Sequence, residues 1–226
     1  MKKDIPRYTG TLRSHAISVP ASTYECSGIV IFGRRIKSCV FSTDVAVIKN
    51  INTDAVLAVY PFTPQASISD AIIAVSDVPV FVGVGGGLTS GDRCVRMALD
   101  VEMQGGFGVV VNAPMPPEVI RKIKAQIELP VITTVISARQ PIDAQIEAGT
   151  DIVNVAAAAK TPELVAFIRE RYPDIPVIAT GGPTDESIRR TIQAGANTIT
   201  YTPPTNGQLF SQKMQTYRDA LDRQTE

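Results

Sequence analysis

The sequence carries two interleaved repeats, and this periodicity constrains the fold more than any other feature. The segments DVPVFVGVGG, ELPVITTVIS and DIPVIATGGP share a Pro-Val entry into a short apolar run. Between them, MQGGFGVVVN, IEAGTDIVNV and IQAGANTITY each indicate a helix end, a glycine and a second apolar run. Such runs predict strands buried on both faces, as in a parallel sheet covered by helices. The repeating unit is therefore strand, helix, strand, helix.

The repeat predicts eight strands, each followed by a helix. The strands are placed at Ser38–Thr43, Ala55–Tyr60, Val78–Gly83, Gly108–Asn112, Val131–Ile136, Ile152–Ala156, Val177–Thr180 and Thr198–Tyr201. Eight such units in 226 residues predict an α/β fold, a single closed (β/α)8 TIM barrel. The alternative is an open doubly wound sheet, which usually has a G-x-G-x-x-G turn after its first strand. No such turn follows Ser38–Thr43.

The leading segment, residues 1–37, does not belong to the repeat. Within it, GIVIFGRRIKS predicts a short hairpin with Gly33 and Arg34 at its turn. The apolar residues of this hairpin favour packing against the bottom of the barrel. We therefore predict an N-terminal extension over residues 1–37 that caps a barrel of residues 38–226. A contact between subunits is the alternative role for the extension.

Composition limits the partners and the compartment of the protein. Lysine plus arginine and aspartate plus glutamate both number 22, so the formal net charge is zero. A neutral chain lacks the broad basic surface that attracts nucleic acid or anionic lipid, and neither partner is predicted. No apolar run approaches the roughly 18–20 residues that a membrane span needs. Three cysteines without a C-x-x-C pair favour location in a reducing cytoplasm. Assembly into a homo-oligomer is possible on this sequence.

The scarcity of histidine argues against two classes of chemistry. His15 is the only histidine, and it lies before the first repeat. A catalytic zinc site needs several converging His, Asp or Glu ligands, and Ser-His-Asp or Cys-His machinery needs a histidine in the site. Unless His15 folds over the barrel, both are disfavoured, and no metal site is predicted.

The carboxyl ends of the strands predict where a ligand binds, because barrel active sites lie at that end. The side chains there are mostly neutral hydrogen-bonding groups and glycines. The predicted substrate-binding residues are Ser42, Thr43, Tyr60, Gly85, Gly86, Asn112, Thr134, Asn154, Thr180 and Tyr201. The glycines have two alternative roles: they could let the backbone approach a ligand closely, or they could form a mobile loop. For the asparagines, turn formation is the alternative.

Two charged residues near strand ends are candidates for acid–base or ionic roles. Asp44 follows the first strand, where a carboxylate can give or take a proton; the alternative is that it caps the helix beginning at Val45. Lys160 follows the sixth strand and could pair with an anionic ligand, or be a solvated loop residue before the next helix. We predict Asp44 and Lys160 as the catalytic residues. No lysine lies inside a strand, which disfavours a Schiff-base aldolase.

The stretch PVIATGGPTDESI ends the seventh strand, a position where barrels often hold phosphate. Its two glycines remove side chains from the approach, and the free amides of the following helix start can point at an anion. After the eighth strand, YTPPTNGQLF supplies hydroxyls and amides at another helix start. The predicted phosphate-binding residues are Gly181, Gly182, Thr184, Thr202, Thr205, Asn206 and Gly207. A tight strand-to-helix connection is the alternative, and Asp185 would compete for the same amides.

Two resemblances extend this reasoning. ATGGPTDESI and IQAGAN resemble the last quarter of phosphate-binding TIM barrels of the ribulose-phosphate-binding type, which include N-acylmannosamine-6-phosphate epimerases, ribulose-phosphate epimerases and thiamine-phosphate synthases. More of the chain resembles a bacterial TIM-barrel family that is loosely labelled hydrolase and has no established reaction. That second resemblance is carried by YECSGIVIFG, VFSTDVAVIKNI, AVYPFTPQ, GVGGG, VVVNAP, AAAKTPE, ATGGPT and ITYTPPTNGQLF.

The chain also departs from the sugar-phosphate barrels that it resembles. They usually have a Gly-Ser pair after the eighth strand, where this chain has Thr202-Pro203-Pro204, and the prolines donate no amide proton. Their strand-borne lysine and acid are not visible here, so their catalytic residues do not carry over.

These observations predict an enzyme that acts on a small phosphorylated metabolite, of isomerase, epimerase or lyase type, and no cofactor is predicted. One alternative is an FMN-dependent oxidoreductase, whose cofactor phosphate would occupy the same corner of the barrel. Another is a barrel that binds a ligand without catalysis.

Overall fold

The computed structural model describes residues 17–223 together with residues 6, 8 and 10. Over this part of the chain, eight parallel strands alternate with eight α-helices, as the repeat predicts. The strands are β3 (Ser38–Phe41), β4 (Ala55–Ala58), β5 (Val80–Gly85), β6 (Gly108–Val111), β7 (Val131–Val135), β8 (Ile152–Val155), β9 (Val177–Thr180) and β10 (Thr198–Tyr201). His15 lies outside the described residues.

The helices follow the strands one by one. They are α1 (Val45–Lys49), α2 (Ala66–Val75), α3 (Asp92–Met103), α4 (Pro117–Lys124), α5 (Ile142–Glu147), α6 (Thr161–Arg171), α7 (Asp185–Gln193) and α8 (Asn206–Asp222). Helix α4 shows why they form: Pro117 starts it without losing a needed amide, and Val119, Ile120 and Ile123 make one buried stripe. No helix in the described ranges is long and apolar enough to cross a membrane.

The sheet closes on itself, because β10 pairs in parallel with both β9 and β3. The closure confirms the TIM barrel, and the open doubly wound sheet is wrong. Alternating side chains on each strand point to opposite faces. One set packs against the helices, and the other fills the barrel interior. The inward apolar set comprises Cys39, Ala55, Leu57, Phe81, Val110, Ile132, Ile152 and Ile178.

A hairpin of β1 (Ile29–Ile31) and β2 (Arg34–Ile36) covers the amino-terminal end of the barrel interior. Three of its isoleucines, Ile29, Ile31 and Ile36, are buried in the same cluster as the inward apolar set. The turn itself lies at Phe32 and Gly33, which both adopt positive φ values (45° and 78°), so its prediction at Gly33 and Arg34 is wrong by one residue. The division at residue 37 stays a prediction.

Candidate active site

The carboxyl-terminal mouth of the barrel is lined by the inward side chains that follow the apolar set. Two residues beyond that set, alternation brings the next layer inward. This mouth layer consists of Phe41, Val59, Gly83, Asn112, Thr134, Asn154, Thr180 and Thr200. Its β3–β5 side is apolar or glycine, whereas its β6–β10 side is made of neutral polar groups. Four predicted substrate-binding residues, Asn112, Thr134, Asn154 and Thr180, therefore lie in one layer.

A chain of hydrogen bonds crosses the polar side of the mouth layer. The Asn154 Nδ2 donates to Thr134 Oγ1 (3.2 Å), and Thr134 Oγ1 donates to Asn112 Oδ1 (3.2 Å). The Asn154 Oδ1 is buried and has no partner among the described residues. Turning both amides would reverse the chain and leave a free donor at Asn154 in place of a free acceptor. The two asparagines are thus linked through Thr134 across three strands. At the Asn154 end, this series of hydrogen bonds stops at an atom without a partner.

A cavity of about 590 Å³ opens between the loops that follow β9 and β10. This β9–β10 cavity is lined by Thr180, Gly182, Pro183, Thr200, Tyr201, Thr202, Pro203, Pro204, Gln208 and Gln212. Thr200 is 4% exposed, and its Oγ1 has no hydrogen-bond partner in the described part of the chain. Buried hydroxyls are normally paired, so this one can bond to a ligand or a water molecule that enters the cavity. Of the predicted phosphate-binding residues, only Gly182 and Thr202 line this cavity.

The two glycines after β9 have different roles. The amide of Gly181 donates to the carbonyl of Thr200 (3.2 Å), so it is not free to hold an anion. A Cβ at Gly181 would lie 2.7 Å from Ile199 and 2.8 Å from Ile188, so this glycine lets β10 and α7 pack closely. Gly182 adopts φ +82° and is exposed on the cavity wall. The tight connection expected as the alternative therefore describes Gly181, while Gly182 remains available to a ligand.

Both helix starts at this corner are closed by capping boxes. In α7, Thr184 Oγ1 accepts from the Ser187 amide (3.2 Å), and Ser187 Oγ accepts from the Thr184 amide (3.1 Å). In α8, Thr205 and Gln208 make the equivalent pair (3.2 and 2.8 Å). The hydroxyl oxygens of both threonines thus accept bonds within their own helix, which competes with a ligand.

The first turns of these two helices differ in charge. Helix α7 begins with Asp185 and Glu186, whereas α8 begins with Asn206 and Gly207 and has no acid in its first turn. A helix start attracts anions, and carboxylates placed there oppose that attraction. The α8 start is therefore the better anion partner, although the prolines that precede it donate no amide proton. Asn206 and Gly207 themselves do not line the β9–β10 cavity.

Sequence reasoning missed Thr200 and Gln212 as cavity residues, and it considered Gln208 only as part of the helix start in YTPPTNGQLF. Two signals could have found them. Strand alternation places Thr200 in the same layer as Thr180, and a helix that begins near residue 206 brings Gln208 and Gln212 onto one face. Tyr201, predicted to bind substrate, does line this cavity.

A second cavity, of about 440 Å³, opens on the opposite side of the mouth. This β4–β6 cavity is lined by Val59, Tyr60, Pro61, Phe62, Thr63, Pro64, Gly83, Gly85, Gly86, Gly87, Leu88, Thr89, Asn112 and Ala113. Four predicted substrate-binding residues, Tyr60, Gly85, Gly86 and Asn112, are brought together here. A bulge between Gly83 and Gly85 interrupts the pairing of β5 with β6 at this point. Bulges next to barrel rims commonly re-aim side chains towards a site.

The glycines of the β4–β6 cavity form an ordered turn. Gly86 and Thr89 exchange backbone hydrogen bonds (2.8 and 3.3 Å), and the Gly87 amide donates to Pro114 (3.1 Å). A Cβ at Gly86 would collide with the Asn112 carbonyl, and Gly86 has φ +136°. The absence of side chains is thus needed for packing against β6, and the amides of Gly86 and Gly87 are already engaged.

Asp44 caps α1, as its alternative role predicted. Its Oδ1 accepts from the amides of Ala46 (2.9 Å) and Val47 (3.3 Å). Ser42 Oγ in turn accepts from the Asp44 amide (3.1 Å), so it also stabilises the local loop. Neither residue lines the two cavities, and the same is true of Thr43. The second carboxylate oxygen of Asp44 remains outside the cap, and a catalytic role remains a prediction.

Lys160 is exposed at the end of a 3-10 turn, Ala158–Lys160, that leads into α6. The turn includes Ala158 at φ +51°, an uncommon conformation for a residue with a side chain. Lys160 does not line either cavity, and the structure does not bring it into contact with Asp44. Its catalytic role also remains a prediction.

Charge is absent from both cavity walls: none of the residues that line them in the described structure is acidic or basic. Within the described ranges, no group of three or more His, Cys, Asp or Glu residues is arranged to hold a metal ion. Cys94 lies behind the glycine turn and donates to the Thr89 carbonyl (3.2 Å). Burial raises the pKa of its thiol, which Arg93 opposes, so the thiol is protonated at neutral pH. The walls can therefore grip a ligand by hydrogen bonds and shape.

Comparison of the sequence with known proteins gives one short likeness. No protein-family model matches the chain. An inosine-5'-monophosphate dehydrogenase of Chlorobaculum parvum is 39% identical over 62 residues, or 26% of this chain. The chain spans 13% of the length of that dehydrogenase.

Comparison of the structure gives fold-level likenesses over most of the chain. Phosphoenolpyruvate phosphomutase from Streptomyces platensis subsp. rosaceus superposes with TM-score 0.60 at 16% identity, covering 89% of this chain and 86% of its own. A phosphonopyruvate hydrolase bound to oxalate and Mg²⁺ superposes with TM-score 0.59 at 14% identity, covering 86% and 83%. A 4-hydroxy-tetrahydrodipicolinate synthase from Methylacidiphilum fumariolicum gives 0.56 at 15% identity, covering 73% and 67%. At these identities, the shared property is the TIM-barrel fold.

Proposed function

We propose that this protein is an enzyme that acts on a small phosphorylated metabolite and holds the phosphate in the β9–β10 cavity. The observation that carries the proposal is the Thr200 hydroxyl, which is buried on the cavity wall with no partner in the described structure. A phosphate oxygen would accept its proton and remove the cost of the unmet group. Thr180, on the neighbouring strand, supplies a second hydroxyl to the same cavity.

The electrostatics of this corner suit an anion bound by neutral groups. The lining of the cavity includes Gly182 after β9, Thr202 after β10 and Gln208 of α8. The Gln208 Oε1 is engaged by the Thr205 amide, so its Nε2 is the end of the side chain left to donate. Because the first turn of α8 has no acid, its helix dipole adds favourable potential.

The compared proteins support a phosphorylated ligand without specifying it. Phosphoenolpyruvate phosphomutase and phosphonopyruvate hydrolase act on phosphorus-containing substrates by their names, and inosine 5'-monophosphate is a phosphate ester. The chemistry that we propose is of isomerase, epimerase or lyase type. Asp44 through its uncapped carboxylate oxygen, and Lys160 from the loop after β8, are the proposed proton-transfer groups. No cofactor enters this proposal.

A binding experiment with a matched pair of variants tests the phosphate site. Thr200→Val removes the unpartnered hydroxyl while preserving shape, and Thr198→Val removes a hydroxyl two residues away that bonds to Ile36 at the closed end. Inorganic phosphate should bind the native protein and the Thr198→Val variant with the same affinity, and so should ribose 5-phosphate. Losing one hydrogen bond to a charged group should weaken binding to Thr200→Val by roughly tenfold or more.

Isothermal titration calorimetry measures these constants directly. Equal affinity of Thr200→Val and native protein for both probes would contradict the phosphate site. If a metabolite panel yields binding at this site without turnover, the protein is a ligand-binding barrel and the enzymatic part of the proposal is wrong.

A further inference from the structure

Two large apolar side chains are held in solvent at the β4–β6 cavity. Phe62 is 74% exposed and Leu88 is 106% exposed, and both line the cavity wall. Each belongs to a different loop, one after β4 and one after β5. Exposed apolar side chains that line one cavity are candidates for a surface that a ligand covers.

The two loops hold these side chains on constrained backbones. Phe62 follows Pro61 in a loop closed by a hydrogen bond from the Gln65 amide to the Tyr60 hydroxyl (2.9 Å). Leu88 lies at the tip of the turn in which Gly86 and Thr89 exchange backbone hydrogen bonds. These hydrogen bonds restrict both loops, which lowers the entropy that is lost when a ligand contacts them.

The rest of the cavity defines the shape and polarity of its ligand. Gly83 and Gly86 contribute no side chains, so the wall between the loops leaves room for a ligand. The Tyr60 hydroxyl accepts from Gln65, which leaves its own proton free to donate. With Asn112 Oδ1 accepting from Thr134, the Asn112 amide nitrogen is free to donate, and turning the amide would leave its oxygen free instead. The cavity therefore combines apolar side chains with hydrogen-bonding groups at Tyr60 and Asn112, and none of its lining residues is charged.

We infer that the β4–β6 cavity binds a planar, uncharged heteroaromatic ring, with its faces against Phe62 and Leu88 and its acceptor atoms towards Tyr60 and Asn112. The inference rests on the proposed function, because the ring belongs to the ligand whose phosphate lies in the β9–β10 cavity. The mouth layer contributes residues to both cavities, Asn112 to the β4–β6 cavity and Thr180 and Thr200 to the β9–β10 cavity. The substrate class is then a phosphate ester that carries a flat nitrogen heterocycle, as in a mononucleotide.

The experiment compares ring-bearing and ring-free probes by calorimetry. The probes are inosine, adenosine and uridine 5'-monophosphates, FMN, the unphosphorylated nucleosides inosine, adenosine and uridine, and ribose 5-phosphate. At least one ring-bearing phosphate should bind native protein roughly tenfold or more tighter than ribose 5-phosphate, which is the usual scale of one base stacking on aromatic side chains. Phe62→Ser and Leu88→Ser should each reduce that advantage severalfold and leave ribose 5-phosphate binding unchanged.

Val30→Ser is the matched control, because Val30 is 67% exposed on the hairpin at the other end of the barrel. It should keep the full advantage of the ring. The inference is overturned if no ring-bearing phosphate exceeds ribose 5-phosphate, or if the Phe62 and Leu88 variants keep the advantage. If a nucleoside binds in a Phe62-dependent way while ribose 5-phosphate does not bind, the ring site stands and the phosphate site fails. If neither binds, both proposals are wrong.

Discussion

Strand β10 places one threonine at each end of the barrel interior, and the two hydroxyls have opposite environments. Thr198, at the closed end, donates to the Ile36 carbonyl of the hairpin at 2.7 Å. Thr200, at the mouth, is equally buried but has no partner in the described structure. The same contrast holds on β6 to β9, where the apolar layer under the hairpin gives way two residues later to the polar side of the mouth layer.

Two residues along one strand are therefore enough to separate a side chain that stabilises the fold from one that is available to a ligand. At the closed end, the buried side chains of the barrel pack against the hairpin and form hydrogen bonds with it. Their burial therefore stabilises the folded state. At the mouth, Asn154 and Thr200 keep buried polar atoms unpaired, which costs stability unless a ligand pairs with them. This division is general in TIM barrels: the amino-terminal face contributes to stability, and the carboxyl-terminal face carries the active site.

The largest expected effect is at the closed end. Phe81→Ala removes a fully buried ring that packs near Phe107 (ring centroids 6.3 Å apart) inside the apolar layer. We expect the free energy of unfolding to fall by about 3–5 kcal/mol, because the cavity left behind cannot collapse fully. Urea unfolding followed by circular dichroism measures the change.

Phe62→Ala at the mouth is the matched control for this prediction. Its ring is 74% exposed, so the free energy of unfolding should change by less than about 0.5 kcal/mol. Comparable losses of unfolding free energy in the two variants would show that both ends of the barrel stabilise the fold. That result would contradict the contrast between the two ends.

An intermediate effect is expected from the two threonines of β10. Thr198→Val leaves the buried Ile36 carbonyl without its donor and should lower the free energy of unfolding by about 1–2 kcal/mol. Thr200→Val breaks no hydrogen bond in the described structure, so its free energy of unfolding should stay within about 0.5 kcal/mol of native or rise. Urea titrations of both variants, without ligand, measure the contrast, and a larger loss for Thr200→Val would reverse the assignment of the two ends.

The last expected effect, on the pH dependence of stability, also lies at the closed end. Burial raises the pKa of the Cys26 thiol from its ordinary value of 9.0 to about 11, and burial also raises the pKa of Cys39 in the apolar layer. The folded state therefore retains these protons when the unfolded state has lost them. The stability linked to each thiol is complete below pH 9 and is lost as pH rises through the folded pKa, so the free energy of unfolding should fall above pH 9.

Urea midpoints measured between pH 7 and pH 10.5 test the sign of this effect. Cys26→Ala should flatten the fall between pH 9 and pH 10.5 relative to native protein. An unchanged pH dependence in the variant would mean that the Cys26 thiol does not link protonation to folding.

The order of strands and helices was predictable because each strand is apolar on both faces and each helix begins at a local signal. The predicted strands at Val177–Thr180 and Thr198–Tyr201 match β9 and β10 to the residue. The predicted strand at Val78–Gly83 differs from β5 by two residues at each end. Glycines do not mark where such a strand ends, because Gly83 and Gly85 can continue it through a bulge.

The candidate site was predictable in position and less so in detail. Strand ends located Asn112, Thr134 and Asn154, but the hydrogen bonds among them depend on the register of three strands. Local sequence could not decide whether Asp44 caps a helix or whether the Gly181 amide is free, since each depends on a partner's distance. Phe62 and Leu88 resembled ordinary loop residues until the two loops were seen to share one cavity.

The capping boxes at Thr184 and Thr205 have a consequence for how specificity can evolve. Each box closes its helix with two residues three positions apart. In α8, Thr202 and Pro203 lie outside the Thr205–Gln208 box, so they can be exchanged with little effect on whether the helix forms. In α7 the box restricts the preceding turn, because a Cβ at Gly182, which has φ +82°, would lie 2.6 Å from Ser187 Oγ. New ligand contacts at the rim of the β9–β10 cavity are therefore easier to gain on the β10 side than on the β9 side.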